Sequence, residues 1–242
     1  MKLDVLAVGA HPDDIELSCG GTVARLVKKG YRVGVLDLTR GELGTRGSKT
    51  VRDREAQNAG RILGVAIREN LNIPDGNVEI GRKNILKVVQ VYRRYRPEVL
   101  LIPHWLERHP DHEHTHTLCK QAWYYAGLAK ITTRDRGKPQ SRHRPKRFFH
   151  FMQWYEFVPS FIVDITETYE TRLAAVEAFA SQFFDPKSKH PETLVSSPGF
   201  LEMIETRAKY YGNQIGVRYG EPFYSIQSIG VRDVFDLVLA SP

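Results

Sequence analysis

Cysteine is scarce in the 242-residue chain, with two positions, Cys19 and Cys119. That is too few for a disulfide framework, so a reducing, cytoplasmic setting is expected. No apolar run approaches the roughly 20 residues a membrane-crossing helix needs. Met1-Lys2-Leu3-Asp4 leads straight into a strand-like segment rather than a signal-peptide pattern, so no membrane partner is expected. The chain also lacks the Gly-x-Gly-x-x-Gly turn that seats a pyrophosphate after a first strand. Gly9-Ala10-His11-Pro12-Asp13-Asp14 stands there instead, which argues against a nucleotide-binding module. Acidic residues fall short of basic ones, 28 against 35, for a net charge of +7. Much of the excess sits in Arg134–Arg147, which also carries Gly137, Pro139 and Pro145 and reads as a solvated basic loop. No recognition-helix, zinc-finger or stacking-aromatic motif accompanies it, so no nucleic-acid partner is expected.

What is present is an ordinary globular composition, 41% hydrophobic and 26% charged, at a length that buries a sizeable core in one domain over residues 1–242. Strands are expected at Leu3–Gly9, Arg32–Thr39, Val65–Asn70, Glu98–Ile102, Phe148–Tyr155 and Ser160–Asp164. Helices are expected from Gly20-Gly21 through Val27, then at Val51–Leu63, Arg82–Tyr95, His112–Ala129, Thr168–Ser181 and Pro198–Tyr211. Such alternation predicts an α/β fold, a mostly parallel sheet with helices on both faces. Ligands of such sheets sit beyond the carboxyl ends of the strands, where strand order reverses.

Two of these strands end alike. Val5-Leu6-Ala7-Val8 runs into His11-Pro12-Asp13-Asp14-Ile15-Glu16, and Val99-Leu100-Leu101-Ile102-Pro103 is followed by His109-Pro110-Asp111-His112. One His-Pro-Asp is ordinarily a strand-to-helix turn. Two, each just past a buried-type strand, point to one site, because clustered imidazoles and carboxylates at a core boundary must be paired or bind metal. A hydrolytic zinc ion takes about three nitrogen or oxygen ligands and keeps a position for water. His11, Asp14 and His112 are the expected ligands, with Asp13 beside the metal as proton acceptor. His109 and Asp111 are expected either to stand behind the ligands or to form an electrophilic pair, the carboxylate orienting the imidazole. His116 lies four residues beyond His112, also ligand spacing, and His114 is close by. Iron, manganese and cobalt suit the same donors. Cys19 is expected to be a buried small side chain. The glycines of Arg40–Gly47 imply special backbone angles or close approach to a ligand.

The His11–Glu16 stretch resembles the HPDDxE motif of the LmbE/PIG-L family of metal-dependent N-deacetylases. Gly20-Gly21, the Thr39–Gly47 loop, Arg52 with Glu55, Pro74-Asp75-Gly76 and His109–His112 fit the same family in the same order. The resemblance implies a Rossmann-like fold and zinc-dependent removal of an N-acetyl group from a glucosamine unit. Ser181–Pro186, Pro191-Glu192-Thr193, Tyr210-Tyr211-Gly212 and Ile215–Phe223 resemble the bacillithiol-biosynthesis branch, which implies N-acetylglucosaminyl-malate as substrate. A chitin-type disaccharide is the alternative. On this reading Glu42, Arg46, Arg52, Asp75 and Arg108 are the expected substrate contacts, with a protonated His109 facing the oxyanion. Arginines suit the malate carboxylates. Relatives in the family also suggest a homo-oligomer. The related mycothiol-pathway enzymes place a Tyr before the second motif, whereas Trp105-Leu106-Glu107-Arg108 stands here.

Overall fold

In the computed structural model, which describes residues 1–183 and 190–237, strand residues alternate between two cores on opposite faces of a central sheet. The order is β1 (Val5–Gly9), α1 (Asp14–Lys28), β2 (Val33–Asp37), α2 (Lys49–Leu63), β3 (Ile67–Asn70), α3 (Arg82–Tyr95), β4 (Val99–Pro103) and α4 (Pro110–Ala126). A small hairpin, β5 (Arg134–Asp135) and β6 (Lys138–Pro139), precedes β7 (Arg147–Phe151) and β8 (Phe161–Asp164). Then come α5 (Tyr169–Glu177), α6 (Phe200–Gln214) and β9 (Gly220–Tyr224).

The main sheet runs β3-β2-β1-β4-β7-β9-β8 and is parallel except where β9 pairs with its neighbours. Val5 and Ala7 of β1 join the core shared with α1, α2, α5 and α6, while Leu6 and Val8 join the core shared with α3 and α4. All five residues of β1 are buried, as expected of a strand covered on both faces. The expected α/β architecture is the one observed, and the sheet reverses direction of growth between β1 and β4.

Local differences have physical causes. The first helix begins at Asp14, directly after the first His-Pro-Asp, and runs on through Gly20-Gly21 with an interruption at Cys19 (φ −146°, ψ 22°). Groups freed by the interruption find partners far along the chain. Gly21 N and Thr22 N donate to Glu221 at 2.9 and 2.7 Å, and Arg172 donates to the carbonyls of Glu16 (3.2 Å) and Leu17 (2.6 Å). Gly21 is required because a Cβ there would lie 2.8 Å from Ile165. Glu221 belongs to β9, a strand absent from the sequence expectation because Pro222 and the flanking glycine weaken its pattern. The basic segment contains the β5–β6 hairpin rather than loop alone. The strand expected over Phe148–Tyr155 ends at Phe151, and the helix expected over Thr168–Ser181 spans Tyr169–Glu177. Phe184-Asp185-Pro186 of the quoted motif lies outside the described residues.

Candidate active site

β1 and β4 are parallel neighbours, registered Val5↔Val99, Leu6↔Leu100 and Ala7↔Leu101, so their two His-Pro-Asp loops leave the same edge of the sheet side by side. The loops differ in backbone. In the first, Asp13 sits at φ 112°, ψ −25°, a conformation that costs a non-glycine residue about 1–3 kcal/mol. Arg52 holds the turn, donating to Pro12 O at 2.5 Å and to Asp13 Oδ2 at 3.0 Å. In the second, His109 is extended and caps α4, its Nδ1 accepting from Asp111 N at 3.2 Å, with Pro110 in the first helical turn.

Donor atoms from both loops converge. His112 Nε2 lies 3.3 Å from His11 Nδ1 and 3.2 Å from Asp14 Oδ1, and His11 Nδ1 lies 3.7 Å from Asp14 Oδ2. Three donors about 2.0–2.2 Å from a tetrahedral zinc would stand about 3.3–3.6 Å apart, so this set fits such an ion. The other ring nitrogen of His11 faces Asp75 Oδ1 at 3.1 Å and Asp111 Oδ2 at 3.4 Å, the carboxylate backing usual for a ligating histidine. His11, His109 and Asp111 are also mutually close, but there His109 already uses Nδ1 to accept from Asp111 N, and the Asp111 carboxylate accepts from Gly76 N and Val78 N. His116 takes no part. It is buried, contacts Pro103 O through Nδ1 at 3.2 Å and packs beside Trp105 and His150, and burial lowers its pKa to about 4. His114 is exposed.

Electrostatics separate the carboxylates. Burial pushes Asp13 up to about 7, against the pull of Arg52. For Asp14, burial is outweighed by His112 and His11, and its pKa falls well below the carboxylate range. Asp75 is likewise drawn to about 2, burial being overcome by its hydrogen bond with His11. Burial alone would lower His11, but Asp111, Asp14 and Asp75 raise it, so three carboxylates make this spot strongly favourable for positive charge.

Two expectations need correction. Asp111 does not orient His109: its carboxylate accepts from Gly76 N (2.8 Å) and Val78 N (3.3 Å) and faces His11. Nor is His109 arranged as an imidazolium. A ring nitrogen that accepts the Asp111 N–H carries no proton, which assigns the single ring proton to Nε2, and burial followed by the charges of His11 and His112 lowers the pKa.

A cleft of about 500 Å³ opens above these groups. Of the expected substrate contacts, Arg52, Asp75 and Arg108 line it. Arg52 is turned to Asp13 and Gln182 (2.9 Å) rather than toward a substrate anion. The glycine loop crowds this same guanidinium: Gly41 has φ 63°, and a Cβ on it would lie 2.8 Å from Arg52 Cζ, while Gly41 and Gly44 also line the cleft. Arg46 is buried away from the cleft, bonded to Phe183 O (2.7 Å) and Pro191 O (3.2 Å). Glu42 is exposed and ties the loop together through Arg40 N and Asp75 N. Arg108 is exposed at the rim, its guanidinium 5.3 Å from the Trp154 ring centre, with no carboxylate partner among the described residues.

Sequence reasoning overlooked Gln153 and Trp154, Glu107, Arg207 and the apolar wall of Leu194, Val195, Met203 and Ile204. The sheet rule held a signal for the first pair. β7 adjoins β4, so the residues after its carboxyl end belong to the same edge, and extending the strand to Tyr155 concealed them.

Residues 6–123 match the family model described as PIG-L, GlcNAc-PI de-N-acetylase. The diacetylchitobiose deacetylase of Thermococcus kodakarensis is 32% identical over 227 residues, covering 90% of this chain and 80% of that one. The crystal structure of the conserved protein TT1542 from Thermus thermophilus superposes with a TM-score of 0.85 at 38% identity, covering 95% of this chain and 98% of the other. The N,N'-diacetylchitobiose deacetylase of Pyrococcus horikoshii, solved with an inhibitor, gives 0.78 at 28% identity over 90% and 82%.

Proposed function

This chain belongs to the PIG-L family and is a deacetylase hydrolysing amides, and on that premise we propose that it removes the N-acetyl group of an N-acetylglucosaminyl conjugate with zinc held by His11, Asp14 and His112. The observation that carries this reading is the meeting of those three donors from two strand ends, with Asp13 beside them. Bound there, zinc would supply Lewis acidity toward the acetamide carbonyl and a lower pKa for its water. In its ionised form, gripped by Arg52, Asp13 accepts the proton of the attacking water. His109, fixed by its capping bond, offers Nε2–H to the developing oxyanion. Asp75 and Asp111 keep His11 in orientation from behind. Asp13 then returns its proton to the departing amine.

For the aglycone we propose malate, supported by the C-terminal motifs and by Arg108, a cation at the cleft rim without a carboxylate partner among the described residues. A second reading, a chitin-type disaccharide, is favoured by likeness to the chitobiose deacetylases and by the engagement of Arg46 and Arg52 inside the protein. Amine release from N-acetylglucosaminyl-malate and from diacetylchitobiose, in the parent and in Arg108→Ala, separates them. Malate recognition predicts faster turnover of the malate conjugate, and a loss of about 10- to 150-fold for it alone in Arg108→Ala, the worth of a charge-assisted bond of about 1.5–3 kcal/mol. Faster turnover of the disaccharide, with no selective loss, contradicts it.

A further inference from the structure

Gln153 follows β7 at the strand end next to the second loop. Its side-chain Nε2 donates to Asp14 Oδ1 at 2.9 Å. The amide is oriented by chemistry: an ionised carboxylate only accepts, so a reversed amide would set oxygen against oxygen. The other Asp14 oxygen, Oδ2, accepts from His11 N at 2.8 Å. Asp14 is therefore held at both oxygens, and Gln153 reaches Oδ1 beside His112, whose Nε2 lies 3.2 Å from the same oxygen.

Gln153 is itself fixed at its backbone. Its N–H donates to Glu107 Oε1 at 3.2 Å, the adjacent Trp154 N–H donates to the same oxygen at 3.0 Å, and its carbonyl accepts from Arg207 on α6. Glu107 is buried, and only Arg108 separates it from the second His-Pro-Asp loop. The chain of contacts thus runs from the loop after β4, through the loop after β7, to a carboxylate at the start of α1.

We infer that Gln153 is a positioning residue that sets the rotation of Asp14 and thereby tightens the metal site, without touching substrate. This inference rests on the reading of Asp14 as a metal ligand. Outer partners of ligating side chains are worth about 10- to 100-fold in metal affinity.

The test is zinc affinity, measured on metal-stripped protein by competition with a chromophoric chelator, for the parent, Gln153→Met and Gln153→Ala. Gln153→Met keeps the length and removes the donor, so it remains informative should the smaller side chain disturb folding. We expect about 10- to 100-fold weaker zinc binding in Gln153→Met. The melting midpoint of the stripped protein should match the parent's, while the rise caused by added zinc should be smaller. At saturating zinc, KM should equal the parent's. Unchanged zinc affinity in Gln153→Met, or a raised KM with zinc affinity intact, overturns the inference. A parent that takes up no zinc would instead contradict the metal reading itself, so the two failures are distinguishable.

Discussion

The two His-Pro-Asp loops share three residues and almost nothing else. In the first, the tetrad is a tight turn before the helix, with Asp13 forced to φ 112° and no side-chain cap on α1. In the second, the tetrad enters the helix at once, His109 serving as cap and Pro110 occupying the first turn. The same letters therefore deliver opposite roles. The first histidine points a nitrogen into the donor cluster and the second is kept out of it by its cap. The first aspartate stands at the cleft with Arg52, while its counterpart Asp111 is buried, holding the Gly76–Val78 turn and backing His11. A repeated motif predicts a shared location, but backbone angles decide which atom each residue presents.

The contrast is sharpest at the aspartates. Asp13→Asn keeps the shape but cannot accept a proton, so turnover should fall about 10²–10⁴-fold while zinc stays bound. Initial rates and metal analysis on the same sample check this, and near-normal turnover would remove Asp13 as the base. The histidines give the next largest effect. His109→Ala should retain zinc and lose about 10²–10³-fold in kcat, the scale of one missing oxyanion donor. A matching loss of zinc would place His109 among the ligands and erase the difference between the loops.

Arg52 gives a smaller effect and tests the clamp on the first loop. Its guanidinium is engaged by Asp13, Pro12 O and Gln182. Arg52→Ala should thus lower kcat/KM by about 10- to 150-fold on charged and neutral substrates equally, since a charge-assisted bond is worth about 1.5–3 kcal/mol. A loss confined to acidic substrates would show that Arg52 reaches the aglycone after all.

Much of this arrangement was legible in the residues. Two buried-type strands with matching ends point to one shared edge, and β1 and β4 are neighbours; donor chemistry nominates His11, Asp14 and His112, whose donor atoms lie close together. Partner assignments were not legible. Arg52 reads as an anion-binding residue near a helix start until Asp13 is seen folded back toward it at positive φ. Asp111 reads as the companion of its neighbour His109, whereas helix geometry turns its carboxylate toward the turn after β3. Glu221 repairs a break in α1 from some 200 positions away in sequence. Gln153 depends on where β7 stops. Each of these is a contact between residues 35 to 200 positions apart, made by elements that only the tertiary fold brings together, and local pattern does not name such partners.

On the proposed function, His11 and Asp14 from the first motif and His112 from the second hold the zinc, while Asp13 and His109 stay off it. Zinc content per chain, measured by elemental analysis across His11→Ala, Asp14→Ala, His112→Ala, Asp13→Asn and His109→Ala, tests it directly. About one zinc is expected in the parent and the last two variants, and little in the first three. Zinc retained in His112→Ala, or lost in His109→Ala, would contradict it.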